Sequence, residues 1–269
     1  MVGGLLRACH PLPSAAVTIG AGFLAVAAGH QGPRLAVLVL AVLAGQLSIG
    51  WANDWLDATR DRTVGRTDKP VATGVIAQRT VAAAAVIAAA TAAVLSLSLG
   101  LFPGLIHIVA VVAAWLYNHP LKSTVASVLP YLIAFGLLPG FVVVALPGQP
   151  TPPWWLLTAG ALLGSGAHFA NALPDLVADA RTGVRGLPQR AGGAASRVIT
   201  VVLLLAAGVV LVFGPPGPAS GPGIATLAGS TAALLVATWT GRRYGERTLF
   251  RVVIGVALAD VVLLLSAPL

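Results

Sequence analysis

Charge is scarce in this sequence: 9% of its 269 residues are Asp, Glu, Lys or Arg, while 57% are hydrophobic. A soluble domain carries roughly 25% charged residues. This chain has too little polar surface to cover itself in water, and its solvent is lipid. Cysteine is nearly absent as well, and the lone Cys9 excludes a disulfide framework and a cysteine-based zinc site. Acids are scarcer than bases, eight against sixteen, for a net charge of +8. That excess does not point to nucleic acid, because the basic residues lie in short loops between apolar runs, where they orient a protein in a membrane. No soluble module interrupts the apolar runs, so residues 1–269 read as a single domain. The segment Met1–Arg7 is a weak basic leader, and the many apolar segments after it argue against a cleaved signal peptide. Arg outnumbers Lys fourteen to two, and Ala, Val and Gly abound, as in a GC-rich bacterial genome.

What is abundant is hydrophobic length. Nine apolar stretches lie at about 11–28, 35–57, 80–99, 102–117, 124–146, 154–175, 196–214, 222–240 and 250–267, each near the ~20 residues that span a bilayer. Gly32-Pro33, Pro147 to Pro150 and Gly214 to Pro218 are turn sequences between them. Alternate loops carry fifteen of the sixteen basic residues, and the opposite side holds Arg34 alone. The positive-inside rule then predicts a nine-helix bundle, with the N-terminus cytoplasmic and the C-terminus outside.

Six of the eight acids fall in two short windows. The first holds Asn53, Asp54, Asp57 and Asp61, with Asp68 just beyond; the second holds Asn171, Asp175 and Asp179. Both read Asn-x3-Asp-x3-Asp, offset by 118 residues, and Arg62-Thr63 and Arg181-Thr182 continue the match, the mark of an internal duplication. Four-residue spacing predicts one helical stripe for each window. Gln46 extends the first stripe and His168 the second, and Pro174 predicts a bend at the second. A lone Asp at a helix end is usually a solvated cap. Two such clusters at one mouth of a membrane protein require cations. Asp and Asn are hard oxygen ligands of the kind Mg²⁺ takes together with phosphate oxygens, so two Mg²⁺ ions around a diphosphate are expected. Asp260 stands alone in the last stretch and reads at least as well as a structural partner, while Cys9, His30 and His107 read as structural or interfacial.

These motifs resemble those of the UbiA-type intramembrane prenyltransferases. Asn53-Asp54-x2-Asp57-x3-Asp61 and Asp175-x3-Asp179 are similar to that family's two aspartate-rich motifs. Arg66-x2-Lys69-Pro70-x3-Gly74 resembles the basic element after the first motif, with Lys where Arg is commoner. Tyr117 to Lys122 resembles its Tyr…Pro-Leu-Lys segment, with Ser123 where Arg often follows. Ala134 to Pro139 fits the fifth helix, and the last three helices match by hydropathy alone.

The resemblance implies a helical bundle around a cavity open sideways to lipid, and transfer of an isoprenyl group from its diphosphate to an often aromatic acceptor. Asn53, Asp54, Asp57 and Asp61 would hold one Mg²⁺, and Asn171, Asp175 and Asp179 the other. Lys122, and more weakly Arg66 and Lys69, would contact the diphosphate. Tyr117 and Tyr131, with Trp51, Trp55 and Trp115, offer π faces to an allylic cation, although tryptophans at an interface also serve as membrane belts. Gln46, His168 and Asn171 suggest a polar pocket for the acceptor. A terpene cyclase would need the same metal site. A cation-coupled transporter places its acids near the midplane, whereas these sit beside basic loops. A CDP-alcohol phosphotransferase would show Gly-Ala-Arg elements that are missing here, and a scaffold would not keep intramembrane acids. Acceptor identity, donor length and oligomeric state are not written in the sequence.

Overall fold

The computed structural model describes residues 2–244 and 246–266, and the side chains of residues 2–176, 179–236, 252 and 255–264. The basic residues Arg242, Arg243, Arg247 and Arg251, which enter the orientation count, have side chains outside that set. All regular elements among the described residues are helical. They are α1 (Val2–Ala8), α2 (Pro11–Ala27), α3 (Gly32–Leu56), α4 (Ala58–Thr63), α5 (Gln78–Ser98), α6 (Leu101–Asn118), α7 (Leu129–Val144), α8 (Trp154–Ala172), α9 (Leu176–Thr182), α10 (Leu187–Phe213), α11 (Gly221–Tyr244) and α12 (Glu246–Ser266). Short 3₁₀ turns lie at Leu121–Ser123, Val125–Val128 and Leu173–Asp175. Lipid offers no partner to a free N–H or C=O, so a spanning segment bonds within itself.

The nine predicted stretches fall one to one on α2, α3, α5, α6, α7, α8, α10, α11 and α12. Five described segments are each long and apolar enough to cross a membrane: α3, α5, α6, Val125–Val144 and α10. A sixth arises if α1 and α2, bent by 71° at a short break, count as one broken span. The N-terminal leader is thus itself a helix, and it folds against the bundle.

Packing repeats with the sequence. In the first half α2 packs on α3, α3 on α5 and α5 on α6; in the second, α7 packs on α8, α8 on α10 and α10 on α11. Contacts between α6 and α7 join the halves, and α12 closes on α10, α11 and α2. Small residues let the axes approach, as in other membrane bundles. A Cβ added at Gly164 would collide with that of Phe135, and one at Gly50 with the Cys9 carbonyl oxygen.

The structure breaks both stripes, the first against the expectation of a continuous helix and the second where Pro174 predicts a bend. Helix α3 ends at Leu56 and α4 restarts after Asp57, while α8 ends at Ala172 and a 3₁₀ turn precedes α9. Asp57 (φ −80°, ψ −6°) and Asp175 (φ −99°, ψ −3°) occupy the same kind of break. Pro174 explains the second, since a proline in a helix removes a hydrogen bond and clashes with the preceding turn. Both short helices then end near a left-handed glycine, Gly65 (φ 70°) and Gly183 (φ 76°), the ordinary stop signal.

The largest dry cluster, with Leu38, Val42, Phe141, Trp155 and Leu156 each 2% exposed or less, fills the end of the bundle remote from the motifs. There Arg34 donates to the carbonyls of Ala145 (2.7 Å) and Leu99 (2.6 Å), and His30 bonds that of Val142 (2.8 Å). With 1.5 Å of rise per residue, the 25 residues of α3 put Arg34 roughly 30 Å from Asp54. Outward-facing Ile19, Phe23, Ile87, Val94 and Leu101 are exposed, an apolar belt that lipid covers.

Candidate active site

The first motif is a desolvated charge network. Asp54 and Asp61 are each 1% exposed and Asp57 is 9% exposed. Asp57 sits at the α3–α4 break, and its Oδ2 accepts from Lys122 Nζ (2.5 Å), Arg60 (3.0 Å) and Asn53 Nδ2 (3.1 Å). Asp61 lies 3.5 Å from Arg60, and its Oδ2 is buried without a hydrogen bond. Asp54 turns the other way: it accepts from the Val71 amide (3.3 Å) and pairs with Lys69 (3.5 Å). The loop after α4 is thereby folded back over the motif. Asn53 Oδ1 accepts from Lys69 (3.1 Å), and its Nδ2 also reaches Asn118 Oδ1 (3.2 Å). Asn118 in turn donates to the Ile49 carbonyl (3.1 Å).

The second motif is open. The Asp175 side chain is 51% exposed, and its nearest cation is Arg66, at 3.9 Å. Arg66 grips Asp68 with two hydrogen bonds of 2.8 Å. That bidentate pair holds the guanidinium above its ordinary pKa and pulls the Asp68 carboxyl down to about 2. Asp179, on α9, accepts from Gln189 Nε2 (2.7 Å). Burial pushes its carboxyl up, against the pull of Gln189 and of the nearby Arg60 and Lys122. Burial likewise draws the Lys122 ammonium down, opposed chiefly by Asp57. Lys122 therefore feels both motifs, and Arg66 bridges toward the second from the loop of the first. A cleft of about 410 Å³ opens here, with Asp57, Arg60, Asn118, Lys122 and Thr182 on its walls.

Beside the carboxylates stands an aromatic wall. Tyr117 and Tyr131 meet edge to face at 4.9 Å, His168 lies 4.9 Å from Tyr131 and 5.6 Å from Tyr117, and Phe135 stacks on Tyr131 at 6.0 Å. Tyr131 also reaches Asn171. His168 is anchored by Ser127 at 3.1 Å, and Ser127 receives the Leu187 amide at 2.8 Å. Gln46 is half-buried two turns before Asn53 and makes no hydrogen bond with the described motif residues. Trp51 bonds the Leu5 carbonyl (2.9 Å) and Trp115 bonds Ser48 (3.2 Å), so both serve packing. Asp260 is 2% exposed and faces Gly208 of α10, apart from both motifs in sequence and packing.

Among the described residues no three carboxylates or imidazoles converge closely enough to enclose a metal ion. Mg²⁺ does not require such a cage, since it binds through one or two carboxylates with phosphate oxygens and water completing its shell. The donor chemistry fits that pattern. Asp61 Oδ2 is a buried oxygen without a partner, and Asp57 Oδ2 is already crowded by two cationic groups.

Sequence reasoning missed Arg60, Asn118, Gln189, Ser127 and His10. His10 lies at the α1–α2 bend, 3.1 Å from Asn53 and 2.9 Å from Lys69. Arg60 stands inside the motif and was readable as its counter-ion; the others are joined to the site only by the fold.

Comparisons with known proteins bear on the family and the fold. A 4-hydroxybenzoate octaprenyltransferase of Ralstonia nicotianae is 32% identical over 161 residues, covering 58% of this chain and 55% of that protein. The chain thus matches about half the length of that curated relative. The apo structure of a UbiA homolog from Aeropyrum pernix K1 superposes with a TM-score of 0.72 at 18% identity, over 91% of this chain and 95% of that one. A UbiA homolog from Archaeoglobus fulgidus, bound to GPP and Mg²⁺, gives 0.72 at 14% identity, over 98% and 99% of the two chains. At such identities the likeness is one of fold. The family itself matches residues 15–258, nearly the whole chain, and the protein belongs to the UbiA prenyltransferase family.

Proposed function

We propose that this protein transfers an isoprenyl group from an isoprenyl diphosphate to an aromatic or quinone-precursor-like acceptor, with Mg²⁺, inside a membrane it crosses nine times. The observation that carries this reading is the meeting of two repeated carboxylate motifs around Lys122 and Arg66. The names of its relatives support it: one is an octaprenyltransferase, and a structural neighbour holds GPP with Mg²⁺. The N-terminus is assigned to the cytoplasm and the C-terminus to the outside, from the basic loops.

In this scheme the donor's tail stays in lipid, held by about 0.8 kcal/mol per buried CH₂, while its diphosphate enters the cleft beside Asp57. Asp57 and Asp61 on one flank, and Asp175 and Asp179 on the other, would hold Mg²⁺. Bound there, Mg²⁺ neutralises the charge that gathers on the departing diphosphate. Lys122, Arg60 and Arg66 add fixed positive charge beside the same oxygens, and Lys suits phosphate as a point charge. Heterolysis of the carbon–oxygen bond sends its electron pair to the diphosphate and leaves an allylic cation. Tyr117, Tyr131, Phe135 and His168 line its path with aromatic faces and keep water away. The acceptor's carbon or oxygen then forms the new bond and releases a proton. Asn171 and His168 are the polar groups placed to orient that acceptor.

The test is diphosphate release from geranylgeranyl diphosphate by purified protein in lipid, with and without Mg²⁺ and a panel of aromatic acceptors. Release that needs both Mg²⁺ and one acceptor establishes the reaction. Release without an acceptor assigns the site to cyclisation, and no release with donors of any length sinks the proposal.

A further inference from the structure

His10 takes no part in the chemistry above, yet it is held in a costly conformation beside it. It joins α1 to α2 at φ 54°, ψ 66°, the left-handed region that non-glycine residues seldom enter. One contact braces this bend on α2 and two seat it on α3 just ahead of the first motif. Trp51 donates to the Leu5 carbonyl (2.9 Å), Ser14 to the Cys9 carbonyl (2.8 Å), and Gly50 leaves the Cys9 carbonyl the room a side chain would take. The imidazole of His10 is thereby aimed at Asn53 and Lys69, 43 and 59 residues away in sequence.

Counting protons shows what it does there. Asn53 is oriented from its far side, because Nδ2 must donate to the Asp57 carboxylate and to Asn118 Oδ1. Its Oδ1 therefore faces Lys69 Nζ at 3.1 Å. An ammonium has three donors and no acceptor. Lys69 spends one proton on Asn53 and directs one at Asp54 Oδ1, 3.5 Å away. The third goes to His10 Nε2 at 2.9 Å; that nitrogen also lies 3.1 Å from Asn53 Oδ1, so the two acceptors are gathered on the one Lys69 ammonium. Both hydrogens of the Asn53 amide are hydrogen-bonded inside the protein, and the Lys69 ammonium is hydrogen-bonded to Asn53 and His10 and ion-paired with Asp54.

We infer that His10 is a positioning residue of the metal site: by accepting from Lys69 it fixes that ammonium between Asn53 and Asp54, and through Asn53 it fixes the Asp57 carboxylate. Asn53 and Lys69 accordingly act through Asp57 and Asp54, and the grip on diphosphate falls to Lys122 and the arginines. The interfacial helix α1 becomes part of the active-site frame. This rests on the proposed Mg²⁺ site.

The test measures binding of Mn²⁺, a spectroscopically visible stand-in for Mg²⁺, by electron paramagnetic resonance with inorganic pyrophosphate present and the protein in nanodiscs. Loss of a residue that orients a metal ligand weakens metal binding by about 10–100-fold. His10→Leu is expected to weaken Mn²⁺ by about tenfold, at the low end of that range. It should raise the Mg²⁺ needed for half-maximal diphosphate release by a similar factor while leaving saturated kcat nearly unchanged. His10→Gln, whose carbonyl can accept from Lys69, should restore most of the affinity. The double variant His10→Leu, Lys69→Met should be no weaker than Lys69→Met alone. Equal Mn²⁺ affinity in wild type and His10→Leu overturns the inference. So does an equal loss in the Leu and Gln variants, which would mark a packing role. Wild-type protein that binds no Mn²⁺ removes the metal site itself, an outcome read from the wild-type curve before any variant is compared.

Discussion

Asp57 and Asp175 stand 118 residues apart at matching breaks with nearly the same backbone angles. Their surroundings differ sharply: Asp57 is buried under Lys122, Arg60 and Asn53, whereas Asp175 faces solvent with one cation at 3.9 Å. The cause lies in the path of the chain beyond each motif. After α4 the chain spends residues 64–77 on a loop that returns over the motif, tying Val71 and Lys69 to Asp54. After α9 the chain turns at Gly183 and enters α10 at Leu187. Two matching breaks thus carry one carboxylate that is already enclosed by its partners and one that is open; in the proposed reaction these are a preassembled half-site and an accessible one. Preorganised charge costs nothing to arrange at the moment of reaction, and an open partner lets a bulky donor in.

The largest effects should treat the halves alike in turnover and unlike in stability. Asp57→Ala and Asp175→Ala are each expected to lower diphosphate release by about 10²–10³-fold, the scale for removing one preorganised electrostatic contact. Only Asp57→Ala should also lower the melting temperature in detergent, because it strands the largely enclosed Lys122 and takes from Arg60 its nearer carboxylate. Equal melting temperatures would break the comparison.

Asp54→Ala comes next. It leaves Lys69 without its buried carboxylate and frees the Val71 amide, a loss of about 3 kcal/mol typical of breaking a buried pair. Proteolysis of the 64–77 loop should accelerate accordingly, and an unchanged cleavage rate would show that this loop is held by something else. Smaller and symmetric are Gly65→Ala and Gly183→Ala. Neither site would crowd a Cβ, so only the left-handed backbone is penalised, by about 1 kcal/mol in each. Unequal melting shifts would mean the two turns are not equivalents. The smallest effect is titration of Asp68. Its carboxyl is pulled from 3.8 to about 2 by Arg66, so its contribution is present above pH 4 and is lost as pH falls toward 2. The side chain is 62% exposed, and screening keeps that contribution under about 0.5 kcal/mol; an acid melt of Asp68→Asn against wild type measures it.

Much of this was legible beforehand because lipid makes the sequence explicit. All nine apolar stretches lie on described helices, since a chain without water must bond to itself, and five or six of the described segments are long and apolar enough to cross a membrane. The repeat was visible because acids are so few that their spacing stands out. The helix breaks at the motifs were half legible: Pro174 announces one, but nothing near Asp57 does, and four-residue spacing alone suggests a continuous helix. His10, Asn118 and Gln189 could not be found from spacing, because their places depend on how α1, α6 and α10 approach the motifs. Asp54 looked like another member of the stripe, and only the fold turns it toward Val71.

Arg34 has a consequence of its own. This single cation laces the carbonyls of Leu99 and Ala145 together at the far end of the bundle, with His30 on Val142 beside it. That end of the bundle is clasped by charge-assisted bonds to helix-end carbonyls, as the spring of a peg holds its arms. In the proposed reaction the donor's head would enter, and diphosphate would leave, at the unclasped mouth beside Asp57, so spent and fresh substrate would compete for one doorway.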